Sequence, residues 1–211
     1  MSHLVLLGDS VFDNGAYTAG GPAVIAQVAE ALPHGWRASL GAIDGSTTAD
    51  IAQQLASLPG DATQLVLSAG GNDALLRADV LETPVSSSGE ALLLLGQAAS
   101  EFEASYRHML AGCLAFKLPT VVCTIYHGNF PDPVYQAGVA VALCAFNDVI
   151  VRVAAEHRLK VIDLRQVCSR PEDFANPIEP SSVGGAKIAA AIVKAVVEDP
   201  LPLRGAYVVA G

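Results

Sequence analysis

At 211 residues, 52% of them hydrophobic, the chain has enough apolar material for one sizeable α/β core and is expected to form a single domain over 1–211. A net charge of −9 and a pI near 4.8 speak against nucleic acid and anionic membranes as partners, since both recruit clustered Lys and Arg. An uncharged small molecule fits better.

The opening residues, MSHLVLLGDS, show no basic leader, so the cytoplasm is the expected location. The run LVLL reads as a first strand, followed by a helix over Pro22 to Leu32, a strand over Trp36 to Leu40 and a helix over Thr48 to Leu58. QLVLSAG is a third strand, and Ala91 to Phe116 a long helix. TVVCTIY is a fourth strand, Val134 to His157 a helix, KVIDL a fifth strand, and Gly184 to Val197 the closing helix. TPVSSSGE, at 83–90, reads as a loop at the rim. Nearly continuous apolar strands separated by helices predict a five-stranded parallel sheet in a three-layer α/β/α sandwich. The longest low-polarity stretch, VAVALCAF, runs into Asn147, Asp148 and Arg152, and reads as a buried helix too short to span a membrane. Cys113, Cys123, Cys144 and Cys168 lack CxxC spacing and are expected as reduced core residues.

Each chemically suggestive motif falls where a strand ends, which is where ligands sit in such sheets. Ser10 follows the first strand in Gly8-Asp9-Ser10, a turn able to present a hydroxyl. GAIDGSTTAD follows the second strand, and its Gly45 can offer an unshielded N–H. AGGND follows the third, where Asn72 offers an amide donor. A hydroxyl and two donors converging on one point would make a nucleophile with an oxyanion hole. Singly, each has a plainer reading: Asp9 as a helix cap, Gly45 as a turn glycine, Asn72-Asp73 as a loop or cap pair. The acids Asp9, Asp13, Asp44 and Asp73 share this edge without distinctive ligand spacing, so neither a metal nor a cofactor is expected.

Together the blocks resemble the SGNH hydrolases, the GDSL esterase and lipase family. Ser10 in GDS matches the nucleophile block, Gly45 the glycine block and Asn72 in GGND the asparagine block. IEPSSVGGAKIA is similar to the last block and its closing helix. The resemblance implies a flavodoxin-like sheet and hydrolysis of small acyl or acetyl esters through an acyl-enzyme. The last block departs from the family pattern, because Asn176 stands at the Asp position and Glu179 at the His position. None of His3, His34, His108, His127 and His157 lies in this block. An Asn at 176 could donate to a carboxylate at 179, where an Asp would repel it. Glu179 as base would need its pKa raised by burial or by neighbouring acids. His127, after the fourth strand, is the alternative base, whereas His3 lies at the wrong edge of the sheet and His157 at a helix end. Two readings follow: a weak esterase with an atypical base, or a catalytically silent protein that keeps a binding pocket.

Overall fold

The computed structural model describes residues 2–197 and 207–209. The five predicted strands are present as β1 (Ser2–Gly8), β2 (Trp36–Leu40), β3 (Gln64–Ser68), β4 (Thr120–Cys123) and β5 (Lys160–Ile162). A short β6 (Tyr207–Val209), which the sequence pattern had not suggested, adds a sixth strand beyond β5. All pairings are parallel and the order is β2-β1-β3-β4-β5-β6. The first strand thus lies one place in from an edge, the second forms that edge and the third returns past the first, so the exits of β1 and β3 are neighbours.

Among the described residues seven helices complete the layers: α1 (Val24–Ala31), α2 (Ile51–Ala56), α3 (Gly71–Leu75), α4 (Ser88–Leu114), α5 (Pro133–Glu156), α6 (Leu164–Val167) and α7 (Ser182–Val197). Alternation along the strands divides the core between the two faces. Val5, Leu7, Leu65, Leu67, Val122 and Val161 point to the face covered by α2, α4 and α5. Leu4, Leu6, Val66, Val121 and Ile162 point to the face covered by α1, α6 and α7.

The helix boundaries follow from caps. α4 starts inside the expected loop because the Ser87 side chain accepts a hydrogen bond from Glu90 N, leaving only 83–87 of that stretch as connection. α5 starts where Asp132 accepts from the backbone N–H groups of Val134 and Tyr135, with Pro133 in the first turn. By length and composition alone α5 could cross a membrane, contrary to the sequence estimate of its apolar stretch. Its Leu143, Phe146, Ile150 and Val153 nonetheless pack into the core. Cys113, Cys123 and Cys168 are buried as expected, whereas Cys144 is exposed; it sits on the outward face of α5 and bonds only Ala140 O.

At the end of β1 the backbone of Gly8 passes so close to β3 that a Cβ would lie 1.9 Å from the Ser68 carbonyl oxygen, at a φ of +139°. Only glycine fits this close approach. Gly8→Ala is therefore expected to lower the unfolding free energy by at least about 2 kcal/mol in urea denaturation. Gly60→Ala, where a Cβ would meet nothing within 4 Å, should stay within about 0.5 kcal/mol of wild type.

Candidate active site

The turn after Gly8 carries the first block. Its carbonyl at Asp9 accepts from the backbone N–H groups of Phe12 and Asp13, and Asp9 Oδ1 accepts from Val11 N, so the chain reverses tightly around Ser10. A buried glutamine on α2 holds this turn against the sheet. Gln54 Oε1 accepts from Gly8 N at 2.9 Å, and its Nε2 donates to Gly8 O at 2.8 Å and to Ser46 Oγ at 3.1 Å. Gln54 lies on the same helical face as the buried Ile51 and Leu55, a periodicity that could have singled it out as more than a surface amide.

The second and third blocks are tied to the first and to each other. Ile43 N donates to Gly8 O and Asp44 N to Asp13 Oδ2. Asn72 Nδ2 donates to Ser46 O at 2.9 Å, and Asp73 accepts from Thr48 N and Thr48 Oγ1. One Asn72 N–H is thus used to fix the side chain and the other stays available. Gly45 lies between these anchored neighbours with φ +79°, a left-handed turn that favours glycine, and it is exposed. Tyr17 donates to Asp44 Oδ2. Each of the four acids of the edge therefore already accepts from the protein.

The last block closes the site. Asn14 Nδ2 donates to Pro180 O at 3.2 Å while its Oδ1 accepts from Val24 N, which joins the first loop to the segment carrying Glu179. Gly128 packs against Pro177 O, which also accepts from Asn129 N. Asn176 does not donate to the Glu179 carboxylate as expected from the sequence. Its Oδ1 instead accepts from the backbone N–H groups of Ile178 and Glu179, at 3.0 and 2.9 Å. The side chain folds back on its own loop, because two unpaired N–H groups lie within its short reach, and it shapes the backbone rather than the carboxylate.

Ser10, Asn72, His127 and Glu179 line one cleft of about 970 Å³, counting the part open to solvent. Gly45 and Asn176 are not among its lining residues; they flank it, the former through Ser46 and the latter through the Glu179 backbone. Ser10 and Glu179 are only 7% and 6% exposed, and the Ser10 hydroxyl lies close enough to the Glu179 carboxylate to bear on its pKa. Burial raises the Glu179 pKa, the Ser10 hydroxyl opposes this, and the Asp44 charge adds to it. Glu179 Oε2 and His127 Nε2 are both buried without a hydrogen-bond partner among the described residues. Burial, and then Arg165, hold the His127 pKa below its ordinary value, which favours the neutral ring. Asp9, also in the cleft wall, is pushed up to about 7, chiefly by burial and further by Glu179 and Asp73, against the bond from Val11 N.

A family model of GDSL-like lipases and acylhydrolases matches residues 6–184, and so takes in all four blocks. The chain belongs to the GDSL-like lipase/acylhydrolase family. Membership supports hydrolase activity of the esterase and lipase type. Among solved structures, an extracellular lipase from Streptomyces rimosus is 19% identical with a TM-score of 0.70, the match covering 93% of this chain and 100% of that one. Phospholipase A1 from Streptomyces albidoflavus is 17% identical with a TM-score of 0.70, covering 92% and 99%. A catalytic mutant of an acetylxylan esterase from Geobacillus stearothermophilus is 18% identical with a TM-score of 0.64, covering 96% and 97%. At these identities the likeness establishes the shared fold. No curated protein matches the chain.

The raised pKa of Asp9 has a thermodynamic signature. Between its ordinary value of 3.8 and the folded value of about 7, the folded state keeps a proton that the unfolded chain releases. The Asp9 contribution is thus full at low pH and lost as pH rises through about 7; Glu179 acts in the same direction. The urea midpoint is expected to fall from about pH 5 to about pH 8, and Asp9→Asn to flatten that fall. A midpoint equally pH-dependent in Asp9→Asn would contradict the assignment.

Proposed function

We propose that the protein hydrolyses carboxylic esters with Ser10 as nucleophile and Glu179 as general base. The observation that carries this reading is the meeting of buried Ser10 and a buried Glu179 carboxylate of raised pKa in the wall of one cleft that also contains Asn72. As Ser10 Oγ attacks the ester carbonyl carbon, its proton passes to Glu179. The oxyanion is held by the free N–H of Asn72 and by Gly45 N. When the carbon–oxygen bond to the alcohol breaks, Glu179 returns the proton to the leaving oxygen. Water then attacks the acyl-enzyme with the same carboxylate as base, freeing Ser10.

Turnover on this reading is weak, because an ordinary glutamate is roughly two units more acidic than imidazole and the rise at Glu179 has to make up that difference. Asn176 serves as a positioning residue for the Glu179 backbone. His127, neutral and half-buried in the same wall with its Nε2 covered, is the competing base. The protein needs no cofactor for this chemistry and takes a small-molecule ester from solution.

Ser10→Ala should abolish hydrolysis of p-nitrophenyl esters, and Glu179→Gln should lower kcat by about 10² or more. Asn72→Ala should lower kcat by about 10² to 10³ with little change in KM. Activity should rise with pH through a pKa above that of an ordinary glutamate. If His127→Ala silences the enzyme and Glu179→Gln does not, the base is His127. If wild type already equals Ser10→Ala on a broad ester panel, the protein is a silent binder.

A further inference from the structure

His3 stands near the start of β1, at the end of the strands away from the cleft, and is 1% exposed with both ring nitrogens engaged. Its Nδ1 lies 3.0 Å from Asp61 Oδ1 and its Nε2 2.8 Å from Ser39 Oγ. The strand register explains the meeting. β1 and β2 run in parallel with His3 beside Arg37 and Val5 beside Ser39, so all four side chains share the face covered by α2. The connection from α2 to β3 then brings Asp61 back to them, pinned by Thr63, whose N–H donates to His3 O and whose hydroxyl accepts from His3 N. The proton positions follow from the partners. Arg37 and then His3 hold the Asp61 carboxyl below its ordinary pKa, so it is a carboxylate that accepts, and Nδ1 carries the proton of the neutral ring. Nε2 is then a lone pair, into which the Ser39 hydroxyl donates. A serine bonded to an imidazole that a carboxylate orients is the relay that activates nucleophilic serines on unrelated folds. Ser39 is half-buried on β2, beyond which no strand lies among the described residues, and the Arg37 side chain beside it is 46% exposed.

We propose that Ser39 is a second nucleophile, an acceptor for small acyl groups carried on phosphate as acyl phosphates. Ser39 Oγ bonds the acyl carbon and the carbon–oxygen bond to phosphate breaks, its electron pair leaving with the phosphate. The serine proton passes through His3 Nε2 to the departing phosphate, which the Arg37 guanidinium attracts. His3 is sealed, so water has no path to Nε2 once the acyl group is in place. Ser39 therefore takes one acyl group and keeps it, a stoichiometric modification independent of the turnover proposed at Ser10.

Wild-type and Ser10→Ala protein are incubated with acetyl phosphate, and acetylation of each residue is followed by peptide mass spectrometry. Ser39 should react at least about 10²-fold faster than Ser57, an exposed serine with no imidazole partner among the described residues, and equally fast in both proteins. His3→Gln should slow Ser39 by at least about 10²-fold. Asp61→Asn, at a side chain 64% exposed, should slow it by at least about tenfold through the wrong ring tautomer, and it keeps the test open should His3→Gln unfold. Arg37→Gln should slow labelling by acetyl phosphate but not by the uncharged p-nitrophenyl acetate. A Ser39 rate no higher than that of Ser57, acetylation confined to lysines, or a rate unchanged in the folded relay variants reduces the trio to a clasp between strands and overturns the proposal. Equal sensitivity of both donors to Arg37→Gln overturns the choice of acyl phosphate, and phosphate release beyond one equivalent per chain in Ser10→Ala overturns the sealed acceptor.

Discussion

Much of the site depends on two strands being allowed to touch. With no Cβ at Gly8, β1 lies against Ser68 at the sheet exit, and the Gly8 N–H and carbonyl are both engaged by one side-chain amide, that of Gln54, the carbonyl accepting also from Ile43 N. A buried amide with both ends engaged has one orientation, and it also holds Ser46 Oγ. Ser46 O in turn holds Asn72. A single chain of hydrogen bonds therefore runs from the nucleophile turn through α2 to the asparagine of the third block. The same device recurs across the sheet, where Asn147 on α5 accepts from Ile125 N and donates to Ile125 O, fixing the exit of β4 at the other side of the cleft.

The electrostatics of the cleft follow from placing carboxyl groups where water is scarce. Asp9 and Glu179 are both buried, and Asp44 stands close enough for its charge to bear on Glu179. In such a setting the charged forms are disfavoured and carboxyl groups become more basic. The cost falls on stability at neutral pH and above, and the gain is a carboxylate that holds protons more firmly. Cross-bracing elsewhere supports this region: Arg107 bridges Glu103 and Glu156, and Arg152 bridges Glu103 and Asp148, joining α4 to α5. These pairs are solvent-facing and individually modest, but they link the two helices between which the cleft opens.

The strands were legible because apolar runs of that length between turn residues have few other fates, and Trp36–Leu40 matches its expected bounds. The five longer helices were legible to within a few residues, with α4 extended backward by a serine cap that pattern alone does not weigh, whereas the short α3 and α6 had not been expected. The residues that line the cleft, Ser10, Asn72, His127 and Glu179, could be named because each follows a strand or a recognisable block. What could not be read was how side-chain amides are used. Asn176 and Gln54 look alike on paper, yet one turns back onto its own loop and the other crosses to a neighbouring strand. That choice is decided by which backbone groups tertiary packing leaves unpaired. Short β6 was missed because three residues give no usable period.

The hydrogen bond from Asn14 to Pro180 spans 166 residues of sequence, and its consequence lies in time rather than space. A chain emerging from the ribosome presents the Ser10 turn well before the segment that meets it. Until then the Ser10 loop lacks Pro180 as its anchor and Glu179 as its neighbour, and closing so long a loop is slow relative to local helix formation. The strands and helices of the α4–α5 side can assemble meanwhile, whereas the corner around Ser10 waits for residue 180. A chain cut short before that residue would hold Ser10 in an unbraced turn.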